Sequence, residues 1–351
     1  MKFPNVVTVA QLAEFDEVID VRSPAEFAED HVPGAINCPV LDNEERAAIG
    51  TMYKQVSPFD AKKRGAALVA RNIARHIEER FAAHGRTWRP LVYCWRGGKR
   101  SGAMAHILSE IGWHAAQLEG GYRAYRREIL AQLAALPNEY RYRVVCGATG
   151  SAKSRLLQAL AAAGAQALDL EELASHRGSV LGNLPEQAQP AQKMFDSLVW
   201  DALRKFDPDR VVYVEAESRK IGQLQVPDAL LARMRASPCV LIEAPLAERV
   251  AFLVQEYGHF LGDPQDLKAK LTCLAGLHSK DTLARWMSQV ERAQWHAFVA
   301  DLLENHYDPA YRRATLKNFE QLAQAQVLRP AKLDAAALAQ LAAQLIAQEQ
   351  A

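Results

Sequence analysis

The residue type best suited to nucleophilic chemistry stands in a short glycine-containing loop. Cys94 opens the segment CWRGGKRSG, at the end of the apolar run PLVYC and before an amphipathic stretch, Ser101–Ile111. A strand that passes through such a loop into a helix presents backbone N–H groups and a helix N-terminus to the sulfur. These dipoles and the neighbouring cations Arg96, Lys99 and Arg100 predict a lowered thiol pKa and a reactive thiolate.

The same loop has the composition of an anion cradle. Gly97 and Gly98 allow the backbone to curl tightly around an anion, because glycine tolerates conformations that other residues avoid. Arg100 follows Cys94 by six positions, giving the spacing C-x5-R. We therefore predict that the loop Trp95–Arg100 binds an anion, with Cys94 as nucleophile. A small buried cysteine at a strand end is the alternative that this loop disfavours.

A second loop has the pattern of a phosphate site. The segment GATGSAKS matches the P-loop pattern, with Ala152 in place of its last glycine, and it lies between an apolar strand and an amphipathic helix. Its backbone N–H groups would surround phosphates, Lys153 would add a positive charge, and the Ser154 hydroxyl could hold Mg²⁺. The predicted phosphate-binding residues are Gly147, Thr149, Gly150, Ser151, Lys153 and Ser154.

The pattern leaves nucleotide hydrolysis and a metal site open. Ala152 fits a hydrolytic P-loop only if that position keeps an unstrained φ. Glu215 and Glu217 follow the apolar run RVVYV, where a second acidic metal ligand could lie. A solvated strand end explains these two glutamates equally well, so no metal site is predicted with certainty.

The surrounding sequence predicts an α/β fold. Short apolar runs alternate with helical patterns in both halves, which is typical of parallel sheets covered by helices. The predicted strands span residues 16–21, 90–94, 142–146, 210–214 and 239–243, and the pattern is helical almost throughout from Leu246 onward. Pro137 and Asn138 interrupt a helical pattern at the predicted junction, so we place two domains at 1–136 and 137–351.

Composition excludes several classes of protein. The formal net charge of the 351 residues is only +1, although basic residues exceed acidic ones between Arg96 and Arg155. Five widely spaced cysteines, without a C-x-x-C pair, argue against a disulfide framework or a zinc site. No apolar run suggests a signal peptide or a membrane span, so a cytoplasmic protein without membrane contact is expected.

Several segments resemble a known family. IDVRSPAEFAEDHVPGAIN (Ile19–Asn37) and LEGGYRAYR (Leu118–Arg126) are similar to the two signatures of rhodanese domains, and the Cys94 loop lies between them. Together with VVCGATGSAKS and VEAESRKIG (Val214–Gly222), they resemble the bacterial tRNA 2-selenouridine synthase family. The resemblance covers most of the chain. It implies a rhodanese-like domain, then a P-loop NTPase-like parallel α/β domain with a helical C-terminal part.

The resemblance also implies an activity. In this family the wobble 2-thiouridine in the anticodon loop of certain tRNAs is geranylated on sulfur from geranyl diphosphate. Selenium from selenophosphate then displaces the geranylthio group. By likeness, Cys94 serves the selenium step, as rhodanese cysteines carry sulfur in a persulfide, while Lys153 and Ser154 bind the diphosphate. No tightly bound cofactor is implied, apart from Mg²⁺ with the diphosphate.

Contacts to tRNA are expected from basic and aromatic side chains. Arg123, Arg126 and Arg127 follow the second rhodanese signature at helical spacing, where they could meet phosphates. A solvated face, or pairing with Glu119 and Glu128, explains them as well. Trp95, Tyr122 and Tyr125 could stack on a base, although ordinary packing is the preferred interpretation.

Two other functions stay open. A rhodanese-fold phosphatase suits C-x5-R, which leaves room for a phosphoryl group, but Tyr93 stands where related phosphatases have histidine. A sulfurtransferase, or a regulatory rhodanese domain, coupled to a P-loop NTPase is the other. The intact Cys94 loop and Lys153 argue against a purely regulatory role.

Overall fold

The computed structural model describes residues 5–179, 182, 187–258 and 264–349, with the backbone alone for 314–317. The chain divides into two compact units. The first comprises Met1–Gln132 together with Ala191–Asp201, and the second comprises Leu133–Pro190 together with Ala202–Ala351. A stretch from the second half of the sequence therefore belongs to the first unit, which no local pattern predicts. The predicted boundary at 136/137 divides the sequence only once and stays a prediction.

Within the described residues, short strands form a five-stranded sheet in each unit and one further two-stranded antiparallel sheet, Lys220–Ile221 with Leu224–Gln225. Those in the described ranges are β1 (Asn5–Val7), β2 (Glu17–Asp20), β3 (Ile36–Asn37), β4 (Pro90–Tyr93), β5 (Ala116–Leu118), β6 (Arg141–Gly147), β7 (Gln166–Leu168), β8 (Val211–Glu215), β9 (Lys220–Ile221), β10 (Leu224–Gln225), β11 (Cys239–Ile242) and β12 (Gln326–Leu328). The predicted strands at 90–94, 142–146, 210–214 and 239–243 correspond to β4, β6, β8 and β11.

Helices connect and cover the strands. Within the same ranges they are α1 (Pro24–Glu29), α2 (Asn43–Gln55), α3 (Pro58–His76), α4 (Lys99–Ile111), α5 (Gly121–Ala135), α6 (Lys153–Ala162), α7 (Leu170–Leu173), α8 (Gln192–Leu203), α9 (Asp228–Ala236), α10 (Leu246–Glu256), α11 (Pro264–Leu271), α12 (Lys280–Glu291), α13 (Trp295–Leu302), α14 (Asp308–Asn318) and α15 (Ala335–Glu349). Single turns of 3-10 helix lie at Val9–Glu14, Leu136–Glu139, Thr272–Leu274 and Leu322–Gln324, and π-helical turns lie at Ile77–Phe81 and Leu303–Tyr307.

The sheet of the first unit positions the cysteine loop. Its described strands follow the order β1-β5-β4-β2-β3, and all their pairings are parallel. Since the carboxyl ends of parallel strands meet at one edge, the segments after β2, β4 and β5 converge there. Buried apolar side chains such as Ile19, Val92 and Leu108 form the core beneath them.

The sheet of the second unit positions the phosphate loop in the same way. Its described strands run in the order β12-β11-β6-β8-β7, with parallel pairings throughout. The central strand β6 leads directly into the predicted P-loop, and α6 follows. Val145, Leu156 and Val240 belong to the core of this sheet.

The helical C-terminal part has its own apolar cluster and contributes to the second sheet. Trp286, Phe298 and Leu271 are buried together between the helices α11, α12 and α13. Strand β12 breaks the predicted helical run and pairs with β11. Three residues are too few for a strand pattern to stand out, which explains why the sequence prediction missed it. No helix in the described ranges has the length and apolarity that a membrane crossing needs.

Candidate functional site

The Cys94 side chain lies at the carboxyl end of β4, where hydrogen-bond donors contact its sulfur. The residue is 3% exposed. Its Sγ accepts hydrogen bonds from the backbone N–H of Gly98 at 3.3 Å and from the Ser101 hydroxyl at 3.1 Å. The amide of Gln117 donates to the Ser101 hydroxyl, at 2.9 Å, and to the carbonyl of Gly97, at 2.6 Å. Gln117 therefore holds the Ser101 hydroxyl in the position from which it donates to the sulfur.

The pKa of Cys94 is lowered, as the loop predicts, by the backbone N–H groups named from the sequence and by a side chain that the sequence did not single out. Burial works to raise the pKa of the thiol, whereas hydrogen bonds from Ser101 and from the backbone N–H groups of Arg96 and Gly98 lower it, and these prevail. Sequence reasoning missed Ser101. Its position one residue after Arg100, in the first turn of α4, was the available signal.

Two glycines allow the loop to close on itself. Gly97 has a φ of +62°, and a methyl group on it would lie 2.6 Å from the carbonyl oxygen of Leu118. Gly121 has a φ of +57°, and a methyl group there would lie 2.2 Å from the carbonyl oxygen of Cys94. Gly98 has no atom within 4 Å of such a methyl group. The tight curl thus depends on Gly97 and on Gly121 after β5, and Gly98 is not needed for it.

The basic residues of the loop have different environments. Arg96 and Lys99 are exposed, so they are free to meet an anionic substrate. Arg100 instead forms an ion pair with Glu26, with Nη1 and Oε2 3.4 Å apart. The expectation that Arg100 lowers the pKa of Cys94 finds no support, because its charge is directed to this carboxylate.

The aromatic residues around the loop are scaffold. The Tyr93 hydroxyl accepts a hydrogen bond from the backbone N–H of Val32 at 3.2 Å. Tyr122 and Tyr125 are buried, which excludes them from stacking on a tRNA base. Trp95 is half-buried, with its ring stacked on Tyr122 at 5.2 Å between centroids.

The arginines of α5 divide into one engaged and two exposed side chains. Arg126 pairs with Asp196 and also donates to the carbonyl of Lys193 at 3.0 Å. Its partner is thus neither Glu119 nor Glu128, and its role is to hold the segment Ala191–Asp201. Arg123 and Arg127 are exposed, and they remain the basic side chains of this helix that a polyanion can reach.

In the second unit, Gly147–Ser154 forms a loop between β6 and α6. Lys153 Nζ donates to the carbonyl of Gly147 at 3.2 Å, so the lysine folds back over the loop. Gly150 has a φ of +83°, which a side chain would strain. A methyl group on Gly147 would meet the Ser151 hydroxyl at 2.3 Å, so both glycines are required by the path of the backbone.

Ala152 does not keep the unstrained φ that the sequence analysis required. Its φ is +60°, in the left-handed region, where a non-glycine residue costs roughly 1–2 kcal/mol. The residue is 4% exposed, and its methyl group packs in the core with Leu156 and Val240. Burial of that methyl group, about 0.8 kcal/mol, offsets much of the strain.

Three carboxylates lie against the phosphate loop. Oxygens of Glu171, Glu215 and Glu217 all lie within 4.8 Å of one another. The Ser154 hydroxyl lies 2.8 Å from a carboxylate oxygen of Glu171 and 3.0 Å from one of Glu215, and its single proton serves one of them at a time. Glu215 and Glu217 are buried, so the interpretation of a solvated strand end is wrong. Glu171 was missed; it follows β7, next to β8 in the sheet, and that adjacency cannot be read from spacing.

Burial and mutual repulsion make this cluster unusual. Burial, followed by the charges of Glu171, Glu217 and Asp169, raises the pKa of Glu215 well above its usual range. Burial and the charge of Glu171 raise the pKa of Glu217 to about 8. Such a group of oxygens is suited to a hard divalent cation, whose charge would offset the repulsion.

An arginine from α10 fixes the other side of the loop. Arg249 Nε donates to the carbonyl of Thr149 at 2.9 Å. Its two Nη atoms donate to the carboxylate of Asp308 at 3.0 and 2.6 Å. The helical part of the second unit thus positions the P-loop, a role that the sequence did not reveal.

These features define a class of protein: a rhodanese-like thiolate loop in one unit and a P-loop phosphate site in another. The family description for the rhodanese-like domain matches residues 7–128. The description for the tRNA 2-selenouridine synthase AAA domain matches residues 140–271.

Sequence similarity to known proteins extends over both units of the chain. A tRNA 2-selenouridine synthase from Chromohalobacter salexigens is 32% identical, over 89% of this chain and 91% of its own. The protein of that name from Bdellovibrio bacteriovorus is 31% identical, over 84% and 87%. The one from Nitrosomonas europaea is 34% identical, over 68% of this chain and 63% of its own length. The chain belongs to the tRNA 2-selenouridine synthase family.

Proposed function

We propose that this protein is a tRNA-modifying transferase that converts wobble 2-thiouridine into 2-selenouridine through an S-geranyl intermediate. Geranyl diphosphate and selenophosphate are the proposed donors. The observation that carries the proposal is the presence, in a member of this family, of a thiolate held by donors and a phosphate loop facing buried carboxylates.

The phosphate loop suits the geranyl transfer. The sulfur of 2-thiouridine would attack C1 of geranyl diphosphate, forming a C–S bond. The C1–O bond breaks, its electron pair leaves with diphosphate, and the proton on N3 of the base goes to solvent. Lys153 and the loop N–H groups would stabilise the charge that develops on the departing diphosphate.

Mg²⁺ with the diphosphate belongs to this proposal, because the residues present fit the ion. Ser154, Glu171, Glu215 and Glu217 offer the hydroxyl and carboxylate oxygens that Mg²⁺ prefers. Repulsion within the cluster favours a bound cation. When bound, it would neutralise charge on the diphosphate.

The cysteine loop suits the selenium step. Selenium of selenophosphate would bond to C2 of the base, and the C2–S bond breaks with its electron pair on geranylthiolate. A phosphoryl group then remains on selenium. Attack of the Cys94 thiolate on phosphorus would release 2-selenouridine, and water would free phosphate from the cysteine. A selenosulfide on Cys94 would instead require an electron acceptor, because selenium in selenophosphate and sulfur in a thiolate are both fully reduced.

Paired variants test this division of labour. With Cys94→Ser, 2-selenouridine should be lost while S-geranyl-2-thiouridine still forms and accumulates. With Lys153→Ala, geranylation should fall far more than thermal stability, because the lysine faces the ligand. Both are measured by mass analysis of nucleosides from tRNA incubated with geranyl diphosphate, then with selenophosphate.

Two results would contradict the proposal. Undiminished 2-selenouridine in the Cys94→Ser variant would remove the thiolate from the reaction. Wild-type geranyl transfer by the Lys153→Ala variant would place the diphosphate elsewhere. A phosphatase remains the second candidate, since the lowered pKa of Cys94 in a C-x5-R loop suits it; rapid hydrolysis of an aryl phosphate without tRNA would favour it.

A further inference from the structure

An apolar cavity opens beside the phosphate loop of the second unit. The space between its walls is about 580 Å³ in all, when the part that is open to solvent is counted. Its walls come mainly from α10, α11 and α13, and they include Leu253, Leu267, Trp295, Phe298 and Val299. None of these five side chains carries a charge.

The cavity and the phosphate site share one border. Thr149 of the P-loop, Leu253 of α10 and Tyr257 directly after α10 line both the apolar cavity and the polar cleft that contains Lys153. The contact is close, because a methyl group on Gly150 would lie 2.8 Å from Cδ1 of Leu253. A ligand anchored by its phosphates on the loop can therefore extend directly into the cavity.

The chemistry of the walls selects the kind of ligand. Burying hydrocarbon contributes about 25 cal/mol per Å² of apolar surface, whereas burying polar groups without partners is unfavourable. A nucleoside would bring ribose hydroxyls against Leu253 and base edges against Trp295 and Phe298. A branched hydrocarbon chain with an anionic head matches both halves of the site.

We propose that this cavity binds the hydrocarbon tail of a prenyl diphosphate whose diphosphate lies on the P-loop, and that its walls set the accepted chain length. This inference rests on the proposed function, since it states where the hydrocarbon tail of the proposed geranyl donor binds. Val299 is the best position for a substitution, because it lies in α13, lines the cavity and is only partly buried. The protein can therefore fold with a larger side chain there.

The test measures the binding of geranyl diphosphate, inorganic diphosphate, farnesyl diphosphate and ATP by variants of the full chain. Val299→Trp should fill the cavity and weaken binding of geranyl diphosphate, without tRNA present, by about tenfold or more. A tenfold loss of affinity corresponds to about 1.4 kcal/mol of binding free energy. Burying two methylene groups contributes slightly more than this, about 1.6 kcal/mol. Its affinity for inorganic diphosphate should stay within about twofold of the wild type. Val299→Ala should shift preference toward the longer farnesyl diphosphate. Val56→Trp, at a position 76% exposed in the first unit, is the matched control and should change neither affinity.

Three results for the Val299→Trp variant would overturn the assignment of the cavity. The first is unchanged affinity for geranyl diphosphate. The others are a loss of affinity for inorganic diphosphate, or for ATP, as large as the loss for geranyl diphosphate. An unaltered chain-length preference in Val299→Ala would do the same, even if the tryptophan variant failed to fold. Failure of the proposed function looks different. In that case the wild-type protein itself would neither bind geranyl diphosphate nor transfer the chain to tRNA.

Discussion

At the scale of single residues, Ser101 controls the chemistry of Cys94. The hydroxyl donates to the thiolate from the first turn of α4 and is itself held by Gln117. A hydrogen bond to a charged group is worth about 1.5–3 kcal/mol, and one pKa unit is about 1.4 kcal/mol. This hydroxyl is therefore one of the groups that lower the pKa of Cys94, together with backbone N–H groups of the loop.

Ser101→Ala should therefore raise the pKa of Cys94, because the thiolate loses the hydrogen bond from this hydroxyl. Because only the thiolate is alkylated, the midpoint of the pH–rate profile should move upward, and the rate below it should fall about tenfold. The measurement is alkylation by iodoacetamide, followed on the Cys94 peptide by mass spectrometry. Ser109→Ala is the control, because that hydroxyl donates to the carbonyl of Ala105, at 2.8 Å, and not to the sulfur. An unmoved midpoint would assign the lowered pKa to backbone N–H groups alone.

At the scale of elements, the cysteine loop follows β4 but is stabilised by the start of α5, which follows β5. The N–H of Tyr122, at the start of α5, donates to the carbonyl of Cys94 at 2.8 Å, and that of Arg123 donates to Trp95 at 3.1 Å. Gly121 approaches the cysteine loop so closely that a Cβ on it would lie 2.2 Å from the carbonyl oxygen of Cys94 and 2.4 Å from the backbone nitrogen of Gly97. Hence the segment LEGGYRAYR stabilises the shape of the active loop.

Gly121→Ala should destabilise the first unit by roughly 3 kcal/mol, from left-handed strain and a backbone clash together. Gly98→Ala should change its stability by no more than about 0.5 kcal/mol, because nothing surrounds that position. Urea unfolding followed by fluorescence of Trp88 and Trp113, both in this unit, compares the two. Equal stability of the two variants would show that the turn does not hold the loop.

At the scale of the whole molecule, the net charge is only +1, so the proposed binding of tRNA would depend on local basic patches. Arg123 and Arg127 are exposed on α5, whereas Arg126 is bound to Asp196. A test of tRNA binding should therefore spare Arg126, since its loss would also release the segment Ala191–Asp201.

The double variant Arg123→Ala/Arg127→Ala should weaken tRNA binding and reduce the slope of log K against log salt by roughly one ion per lost phosphate contact. Alkylation of Cys94 by a small reagent should be nearly unchanged. Arg71→Ala/Arg75→Ala removes the same charge from exposed positions of α3 and should leave the slope as it is. Identical slopes for both variants and the wild type would mean that tRNA binds another surface.

The sequence by itself determined both reactive loops and most of the elements beside them. Each loop is one continuous strand–loop–helix segment, so its position after a strand and its helix N-terminus are encoded within a dozen residues. The same locality explains why β4, β6, β8 and β11 could be predicted from short apolar runs. Family membership also follows from contiguous segments.

Only the tertiary structure decided what surrounds those loops. Glu171 and Glu217 meet because β7 and β8 are neighbours in a parallel sheet, and strand order is set by packing of distant segments. The apolar cavity joins Thr149 to α10 and α13, and the segment Ala191–Asp201 belongs to the unit before it. Such contacts depend on burial shared between remote parts of the chain, which no spacing within one segment records.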